Sequence, residues 1–481
     1  MARKSVSLLD RAALEQIHSE SLRILENIGV RVDDPECVEI LRRAGAKVVG
    51  QSNVVKLPAP MVMEAMAQIT KKFEVVQPTG ERFWIPDKSP RVGTRVKMPK
   101  ILDYGALTCR PPLRQDVINL CRITNALPKN EFAVPIHYPS SDVPTELSVV
   151  DSMALAIAVT GKMSMVPPST VEDARACIDL AMGALGSDDV VNDPATWIAV
   201  NTTSPLFLGE REGSIIRHVV GRGIPIDVEP MPVAGASTPF TLAGTLLVGN
   251  AEMLFLCTLA NAIWPGVKVI HSTCGSAMNM KTANLSMGGP ETCLLSSGEI
   301  ALGQFYGMPT FRMGGYSDSW YPDVQAGIEK AMATLILLQS GADLIIMGGP
   351  LNCAAHLSYE QVVIDHSIYE FAFRCATEIE VSEGTLAYDT VAKVGQAGSY
   401  IAEDHTLRYV RSGEHYYGGP YNHTGQPGED NTMLVRAHER VESILAQPFE
   451  WGAPAPAVER IKQYVRDYAK WLKVPVPDWT E

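Results

Sequence analysis

Residues 309–330 read PTFRMGGYSDSWYPDVQAGIEK, and the stretch has the pattern of a strand, a loop and a helix. An apolar run ends at two glycines, a loop rich in aromatic and acidic residues follows, and a helical pattern then begins. Pro322 suits the first helical position and Asp323 the first turn, because proline lacks an N–H and a carboxylate complements the helix dipole. The stretch therefore predicts one βα unit.

The same unit recurs through the middle of the chain. Strand-like runs that are apolar throughout lie at 132–137, 163–166, 197–200, 224–228, 267–271, 310–313 and 344–347. Helical patterns separate them, among others at 114–127, 171–185, 291–306 and 323–339. Apolar strands alternating with helices indicate a parallel sheet covered on both faces. Seven units approach a (β/α)8 TIM-type barrel, with the eighth strand either within 92–104 or after His366. A dinucleotide-binding fold is disfavoured because no GxGxxG follows a strand.

The segments on either side of this α/β region differ from it. Before it, helical spacing ends at Gly29, a second helix has Asp34 as its N-cap and Pro35 at its first position, and a third covers 60–69. Beyond Tyr359 the pattern is again helical. We predict a helical N-terminal extension over 1–80, the barrel over 81–380 and a C-terminal helical extension over 381–481.

Composition narrows the class of protein. A net charge of −13 argues against nucleic acid or an anionic membrane as a partner, since both need basic patches. None of the nine cysteines forms a CxxC pair, so we expect reduced core cysteines in a cytoplasmic protein rather than disulfides or a zinc site.

The apolar stretch 240–264 carries Glu252, which is costly in lipid, so we predict a buried helix there. The N-terminus lacks the apolar core of a signal peptide.

Candidate site residues lie just past the carboxyl ends of the predicted strands, where barrels place their chemistry. The ends of the predicted strands carry no lysine, no HExxH and no GxSxG. We therefore assign no catalytic residue and no metal ligand. A lyase or hydrolase is disfavoured for the same reason. The candidate substrate-binding residues are Asn201, Glu229, His271, Tyr316, Trp320, Tyr321 and Asp323.

These candidates also have purely structural interpretations. Glu229 could balance a bound cation or accept backbone N–H groups, and His271 could donate a hydrogen bond or pack as a neutral core residue. The aromatic residues could form a cation cage or simply pack, and Asp323 could only stabilise its helix. The glycine pairs at 288–289 and 348–349 could bring backbone N–H groups to an anionic ligand group.

Four separated motifs, in order along the chain, carry a family resemblance. They are LEQIHSESLRILENIGVRV with AGAKV, ILDYGALTCRPPLRQDV, GGYSDSWYPDVQAGIEKA and GADLIIMGGPL. With them the chain resembles the trimethylamine methyltransferase superfamily, and specifically its members without pyrrolysine. The resemblance implies a (β/α)8 barrel that transfers a methyl group from an amine to the Co(I) of a corrinoid protein. It implies glycine betaine as the leading substrate, with proline betaine, carnitine and γ-butyrobetaine as alternatives.

The implied chemistry fits a site without catalytic groups. A quaternary ammonium already has a neutral tertiary amine as its leaving group, and cob(I)alamin is the nucleophile, so the protein has to hold, desolvate and orient the cation. We expect the corrinoid to be carried by a partner protein that docks transiently over the barrel mouth, with no metal bound by this chain. We also expect a homo-oligomer built through the terminal helices. A non-catalytic barrel that binds a small cation stays open as an alternative.

Overall fold

A computed structural model describes residues 6–50, 53–136, 138–416 and 432–479. His137, at the end of the first predicted strand run, lies outside the described residues. The chain has an α/β fold in which parallel sheets are covered by helices.

The N-terminal part combines helices with short strands. It contains α1 (Arg11–Asn27), β1 (Val30–Val32), α2 (Pro35–Arg43), β2 (Lys47–Val49), β3 (Val54–Lys56), α3 (Ala59–Gln68), β4 (Phe73–Val76) and β5 (Arg82–Ile85). As predicted, Asp34 caps α2, and its carboxylate accepts a hydrogen bond from the Cys37 N–H at 2.8 Å. The segment expected to be helical thus carries strands as well. They escaped prediction because each has only three or four residues, too few for a period-two pattern.

The middle of the chain contains the βα units and short strands in their loops. The first half is β6 (Arg91–Arg95), α4 (Arg114–Ala126), β7 (Asn130–Val134), α5 (Thr145–Thr160), β8 (Met163–Ser164), α6 (Val171–Leu185), β9 (Ile198–Val200), β10 (Phe207–Leu208), α7 (Glu210–Gly221) and β11 (Ile226–Val228). The second half is β12 (Val233–Ala234), α8 (Leu242–Ile263), β13 (Val269–His271), β14 (Ser276–Asn279), β15 (Asn284–Ser286), α9 (Pro290–Phe305), β16 (Phe311–Met313), α10 (Val324–Ser340), β17 (Leu344–Met347), β18 (Pro350–Leu351), β19 (His356–Leu357) and α11 (Tyr359–Cys375).

The C-terminal part is helical, as predicted. It contains α12 (Glu383–Leu386), α13 (Tyr388–Val394), α14 (Asp404–Val410), α15 (Met433–Leu445) and α16 (Ala455–Leu472). Helix α15 packs on α11 and α4, and helix α16 packs on α5 and α6.

The principal strands form two parallel sheets that are joined at both edges. One sheet has the order β16-β17-β6-β7-β8 and the other the order β13-β11-β9. Single parallel bridges connect Val166 to Ile198 and His271 to Thr310. Strand β6 lies between β17 and β7, so the strand that the sequence left open falls within 92–104 rather than after His366.

One end of the strand bundle is closed by the β4–β5 hairpin. Phe73 and Phe83 of the hairpin belong to the same buried cluster as the inward side chains of the principal strands, such as Phe132 and Trp197. The hairpin backbone bonds to the start of the β9 unit, where the Val76 N–H donates to the Pro194 carbonyl at 2.9 Å. The hairpin covers the amino ends of the strands, so the carboxyl ends are left for a site.

Helix α8 lies in the apolar stretch 240–264, which the sequence predicts to be a buried helix and not a membrane span. Among the described residues it is the one helix long and apolar enough to span a membrane, and 83% of its most apolar window is buried in the fold. Glu252 on this helix is fully buried and accepts hydrogen bonds from Thr202, Ser204 and the Leu206 N–H. The helix is therefore a core element, and its carboxylate holds the loop after β9.

Candidate functional site

Two carboxylates occupy the inward side of β11. Asp227 is in register with Ala199 on β9 and Ile270 on β13, and both of these belong to the inner cluster. Val228 belongs instead to the outer core, between strands and helices. Because side chains alternate along a strand, Asp227 and Glu229 both face the interior, with Glu229 nearer the open end.

Neither carboxylate has a protein partner among the described residues. Asp227 is fully buried, and neither of its oxygens accepts a hydrogen bond. Burial raises the pKa of Asp227 well above its usual value, and the neighbouring Glu229 raises it further. Burial also raises the pKa of Glu229 to about 7, against the opposing effect of the Arg95 and Arg312 guanidiniums. Burial thus favours the neutral form of both carboxyls relative to carboxyls in water.

Arg95 brings a positive charge to the same space. It is the last residue of β6, in register with Val134 of the inner cluster, and only 5% of it is exposed. Its Nη2 donates to the Tyr316 hydroxyl at 3.1 Å and to the Met313 sulfur at 3.2 Å. Its Nε has no partner, and no described carboxylate lies within 4 Å of it. A buried charge left unpaired is costly, so the absence of a partner points to a ligand.

Tyr316 covers Arg95 from the loop after β16. Gly315, immediately before it, has a φ of 69°, a conformation that glycine adopts without strain. The Tyr316 hydroxyl donates to the Met313 sulfur at 2.9 Å, and burial raises the pKa of this side chain. The Tyr316 hydroxyl thus contacts Arg95, and the Glu229 carboxyl is near enough to contribute to the raised pKa of Tyr316. Asn201, directly after β9, is an exposed residue at the same end of the strands.

Tyr316 is held in place by a buried ion pair. Lys330 of α10 and Asp365 of α11 are both fully buried, and their charged atoms are 2.8 Å apart. The Lys330 amine also donates to the Gly315 carbonyl, and the Asp365 carboxylate accepts the Gly349 N–H at 2.7 Å. The pair therefore ties the loop after β16 to the loop after β17.

The remaining predicted residues lie in other surroundings. His271 is in register with Val228, which places it on the outer side of its strand, next to Gly303 of α9. Neither ring nitrogen has a partner, and burial, with a smaller effect of Arg312, lowers its pKa to about 3. His271 is a neutral core histidine in this structure, which is the structural interpretation given above.

Trp320 and Tyr321 face the rim of the site rather than its interior. Trp320 lies against the His356 ring, with centroids 4.8 Å apart, and is 40% exposed. The Tyr321 hydroxyl donates to the Leu107 carbonyl at 3.2 Å. Tyr321 also lines a cavity of about 300 Å³ with Tyr104. The contacts of these two aromatic residues are therefore with neighbouring loops and not with Glu229.

Asp323 serves as a helix cap. Helix α10 begins at Val324, and the Asp323 carboxylate accepts a hydrogen bond from the Ala326 N–H at 2.9 Å. Pro322 therefore precedes the cap and does not occupy the first helical position. The predicted helix start at Pro322 is two residues too early, because a capping carboxylate and a first-turn carboxylate look alike in sequence.

In each glycine pair, one N–H group already donates a hydrogen bond within the protein. The Gly288 N–H donates to Asp318 at 2.8 Å, and the Gly349 N–H donates to Asp365. The expectation that no lysine follows a strand is also wrong, because Lys97 comes two residues after β6. Its amine donates to Ser148 and Ser152 of α5, and burial lowers its pKa to about 8.

Among the described residues no group of three or more histidines, cysteines, aspartates or glutamates is placed to hold a metal ion. The site is thus one guanidinium, two carboxylates and a phenol ring at the open ends of the strands. Such a set can bind and orient a charged small molecule. It contains no nucleophile and no metal ligand set.

Comparison with known proteins identifies the family to which the chain is similar. The family described as trimethylamine methyltransferase (MTTB) matches residues 2–469. The trimethylamine methyltransferase MttB of Methanosarcina barkeri (strain Fusaro) is 30% identical over 461 residues, which are 92% of this chain and 90% of that protein. A glycine betaine methyltransferase of Desulfitobacterium hafniense (strain Y51) is 26% identical over 413 residues, covering 84% of each.

A solved structure supports the fold. The crystal structure of the Methanosarcina barkeri monomethylamine methyltransferase (MtmB) matches with a TM-score of 0.52 at 12% identity. The match covers 96% of this chain and 93% of that one.

Proposed function

This chain belongs to the trimethylamine methyltransferase family and is a methyltransferase of methylated amines, and we propose that it transfers a methyl group from a quaternary amine to the Co(I) of a corrinoid protein. The leading substrate is glycine betaine, which becomes dimethylglycine when it has given up one methyl group. The 26% identical glycine betaine methyltransferase supports this substrate, and proline betaine, carnitine and γ-butyrobetaine are the alternatives.

The observation that carries the proposal is the pair of buried carboxyls at the open ends of the strands: Asp227, whose oxygens have no hydrogen-bond partner, and Glu229, which acts electrostatically on Tyr316. A carboxylate and an aromatic face both attract a quaternary ammonium, and a desolvated cation–π contact contributes about 2 kcal/mol. We assign Glu229, Tyr316 and the rim residue Asn201 to the substrate.

A single buried charge suits the reaction. The positive charge on nitrogen disappears as the methyl group leaves, so strong stabilisation of the cation would oppose catalysis. Burial favours the neutral form of Asp227, so the negative charge offered to the ammonium is mainly that of Glu229. The protein therefore holds and desolvates the substrate without trapping it. The corrinoid, carried by its own protein, supplies the nucleophile when it docks over this end.

The proposal includes a closed (β/α)8 barrel. The order of pairing runs from β6 through β7, β8, β9, β11, β13, β16 and β17 and back to β6, if the two single bridges are counted as contacts between neighbouring strands. The fold match to MtmB supports it. In such a barrel the inward carboxylates of β11 open to the mouth, where a corrinoid protein would dock.

The test is methyl transfer by the purified protein. We would incubate it with reduced cob(I)alamin and each of glycine betaine, proline betaine, carnitine, γ-butyrobetaine and trimethylamine, and follow the absorbance change to methylcobalamin. Transfer from one quaternary amine and none from trimethylamine supports the proposal. Calorimetric binding of a quaternary amine without any transfer would favour the non-catalytic cation-binding barrel instead.

A further inference from the structure

We propose that Arg95 binds the carboxylate of the substrate, so that this site takes methylated amines that carry an acid group. The inference rests on the proposed function and makes it narrower. The anion-binding group is the guanidinium of the last residue of β6, a strand with only a weak sequence pattern. It is not a backbone glycine pair.

Arg95 and Arg312 are the two arginines of the described chain that are almost fully buried, and of these two only Arg312 has a counter-ion. Arg312 is 2.6 Å from a carboxylate oxygen of Glu299 and bonds to Ser296, and Arg114 is 2.9 Å from Asp151. Arg95 is as deeply placed, yet its Nη2 contacts only a hydroxyl and a thioether. Burying a guanidinium without a counter-ion costs free energy of folding, unless a ligand supplies the negative charge.

The hydrogen bonds that the Arg95 guanidinium makes within the protein all come from one of its three nitrogens. A carboxylate bound in fork geometry takes two parallel N–H groups of an arginine. The Tyr316 hydroxyl and the Met313 sulfur both engage Nη2, while Nε is buried without a partner. The tyrosine therefore fixes the guanidinium and leaves N–H groups that a substrate carboxylate can use.

The opposite charges of the site are separated rather than paired. Arg95 lies on β6 and Glu229 follows β11, both on the inward side, and no ion pair within 4 Å joins them. Each nevertheless lies close enough for Arg95 to lower the pKa of Glu229. A betaine placed between them has its ammonium beside Glu229 and its carboxylate beside Arg95. Trimethylamine lacks the second group and would leave Arg95 unpaired.

Several alternative anion-binding groups already have partners within the protein. The Gly288 and Gly349 N–H groups donate to Asp318 and Asp365, so these loop amides cannot receive a substrate carboxylate without breaking internal bonds. Lys97 faces Ser148 and Ser152 on α5. Within the described chain, Arg95 is the cationic group of the inner surface that is free to bind.

The experiment compares Arg95→Gln with the wild-type protein, using calorimetric binding in the absence of corrinoid. The ligands are the four betaines of the panel and, as a probe without an acid group, tetramethylammonium. We expect Arg95→Gln to weaken the best-bound betaine by about 30-fold or more and to leave tetramethylammonium binding unchanged or stronger. Glu229→Gln is the matched control, because it should weaken both kinds of ligand.

The melting temperature of the ligand-free protein distinguishes a structural role of Arg95 from a role in ligand binding. Because the substitution removes an unpaired buried charge, we expect the melting temperature of Arg95→Gln to equal or exceed that of the wild type. Equal weakening of betaine and tetramethylammonium, unchanged betaine affinity, or no binding of any betaine by the wild type overturns the inference. Arg95-dependent betaine binding without methyl transfer overturns the proposed function and leaves the inference intact.

Discussion

At the scale of single residues, the charge on Glu229 sets how the site treats a cation. Its pKa of about 7 results mainly from burial, with Arg95 and Arg312 acting in the opposite direction. Burial, and to a smaller extent Glu229, raises the pKa of Asp227, two residues earlier on the same side, well above its usual value. The pair therefore carries about one negative charge when an ammonium is bound.

The first prediction concerns the pH dependence of substrate binding. An ammonium beside Glu229 stabilises its ionised form, so the proton must leave before the cation binds well. Affinity for glycine betaine should therefore rise from about pH 6 to about pH 8, and the Kd should level off above the pKa of the free carboxyl. Titration calorimetry at several pH values measures this directly.

Glu229→Gln is the control for that pH profile. The variant should bind more weakly at pH 8 and should show a nearly flat profile, because the amide does not titrate. A profile that keeps its slope in Glu229→Gln would show that another group, such as Asp227, controls binding.

At the scale of elements, the ion pair between Lys330 on α10 and Asp365 on α11 joins two strand-to-helix loops. The second prediction is that Lys330→Met lowers the free energy of unfolding by about 3–5 kcal/mol, because it leaves the Asp365 charge buried without its cation. Because Gly315 loses its bond to the amine, Tyr316 should also shift and the KM for the amine should rise. Urea denaturation and steady-state kinetics measure the two effects.

The double variant Lys330→Met/Asp365→Leu is the control for charge burial. It removes both charges and should recover part of the lost stability while the rise in KM remains. Recovery of both stability and KM would show that the loops are held by other contacts.

The cap of α10 allows a third prediction. Asp323→Ala should lower the free energy of unfolding by about 1 kcal/mol through loss of the bond to the Ala326 N–H, and should leave the Kd for glycine betaine unchanged. Thr170→Ala, which removes the corresponding cap of α6, is the matched control. Weaker betaine binding in Asp323→Ala alone would restore the substrate role that the sequence suggested for this residue.

The same elements show what sequence could and could not predict. Seven principal strands were predictable because each lies in a mainly apolar run between helical patterns, and Glu229 and Tyr316 were chosen for their place at the ends of these runs. Strand β6 was predicted only as one of two alternatives, because its sequence RVGTR is mostly polar or small. The reason is physical: Gly93 makes room for the Phe132 ring, since a β-carbon there would lie 2.1 Å from it. Arg95 was missed with that strand.

The loop after β16 shows a second limit. Its sequence predicted an aromatic and acidic cluster, but hydrogen bonds to distant residues decide where each side chain goes. Asp318, for example, accepts the Met287 and Gly288 N–H groups at 2.8 Å, and these residues come from the segment after β15. Such long-range pairing leaves no local pattern, so which aromatic residue faces the site could not be read from the loop alone.

At the scale of the whole molecule, the three segments predicted from sequence share one hydrophobic core. The main buried cluster includes Leu25 of α1, Val117 of α4 and Ile226 of β11, together with Val441 of α15 and Ile461 of α16. Helix α16 packs directly on α5 and α6, which are helices of the βα units. The terminal helices therefore cover part of the surface that the strands and their helices would otherwise leave exposed to water.

The fourth prediction is that the described fold unfolds as one cooperative unit. Ile461→Ala deletes a fully buried side chain between α16 and the βα helices and should cost about 2–5 kcal/mol. Because the core is shared, the loss should shift a single calorimetric transition, and the buried Trp197, inside the strand bundle, should report the same midpoint by fluorescence. Met280→Ala, at an exposed position, is the control and should leave the midpoint unchanged. A separate early transition in Ile461→Ala, with the fluorescence of the strand bundle unaffected, would show instead that residues 381–481 fold as an independent extension.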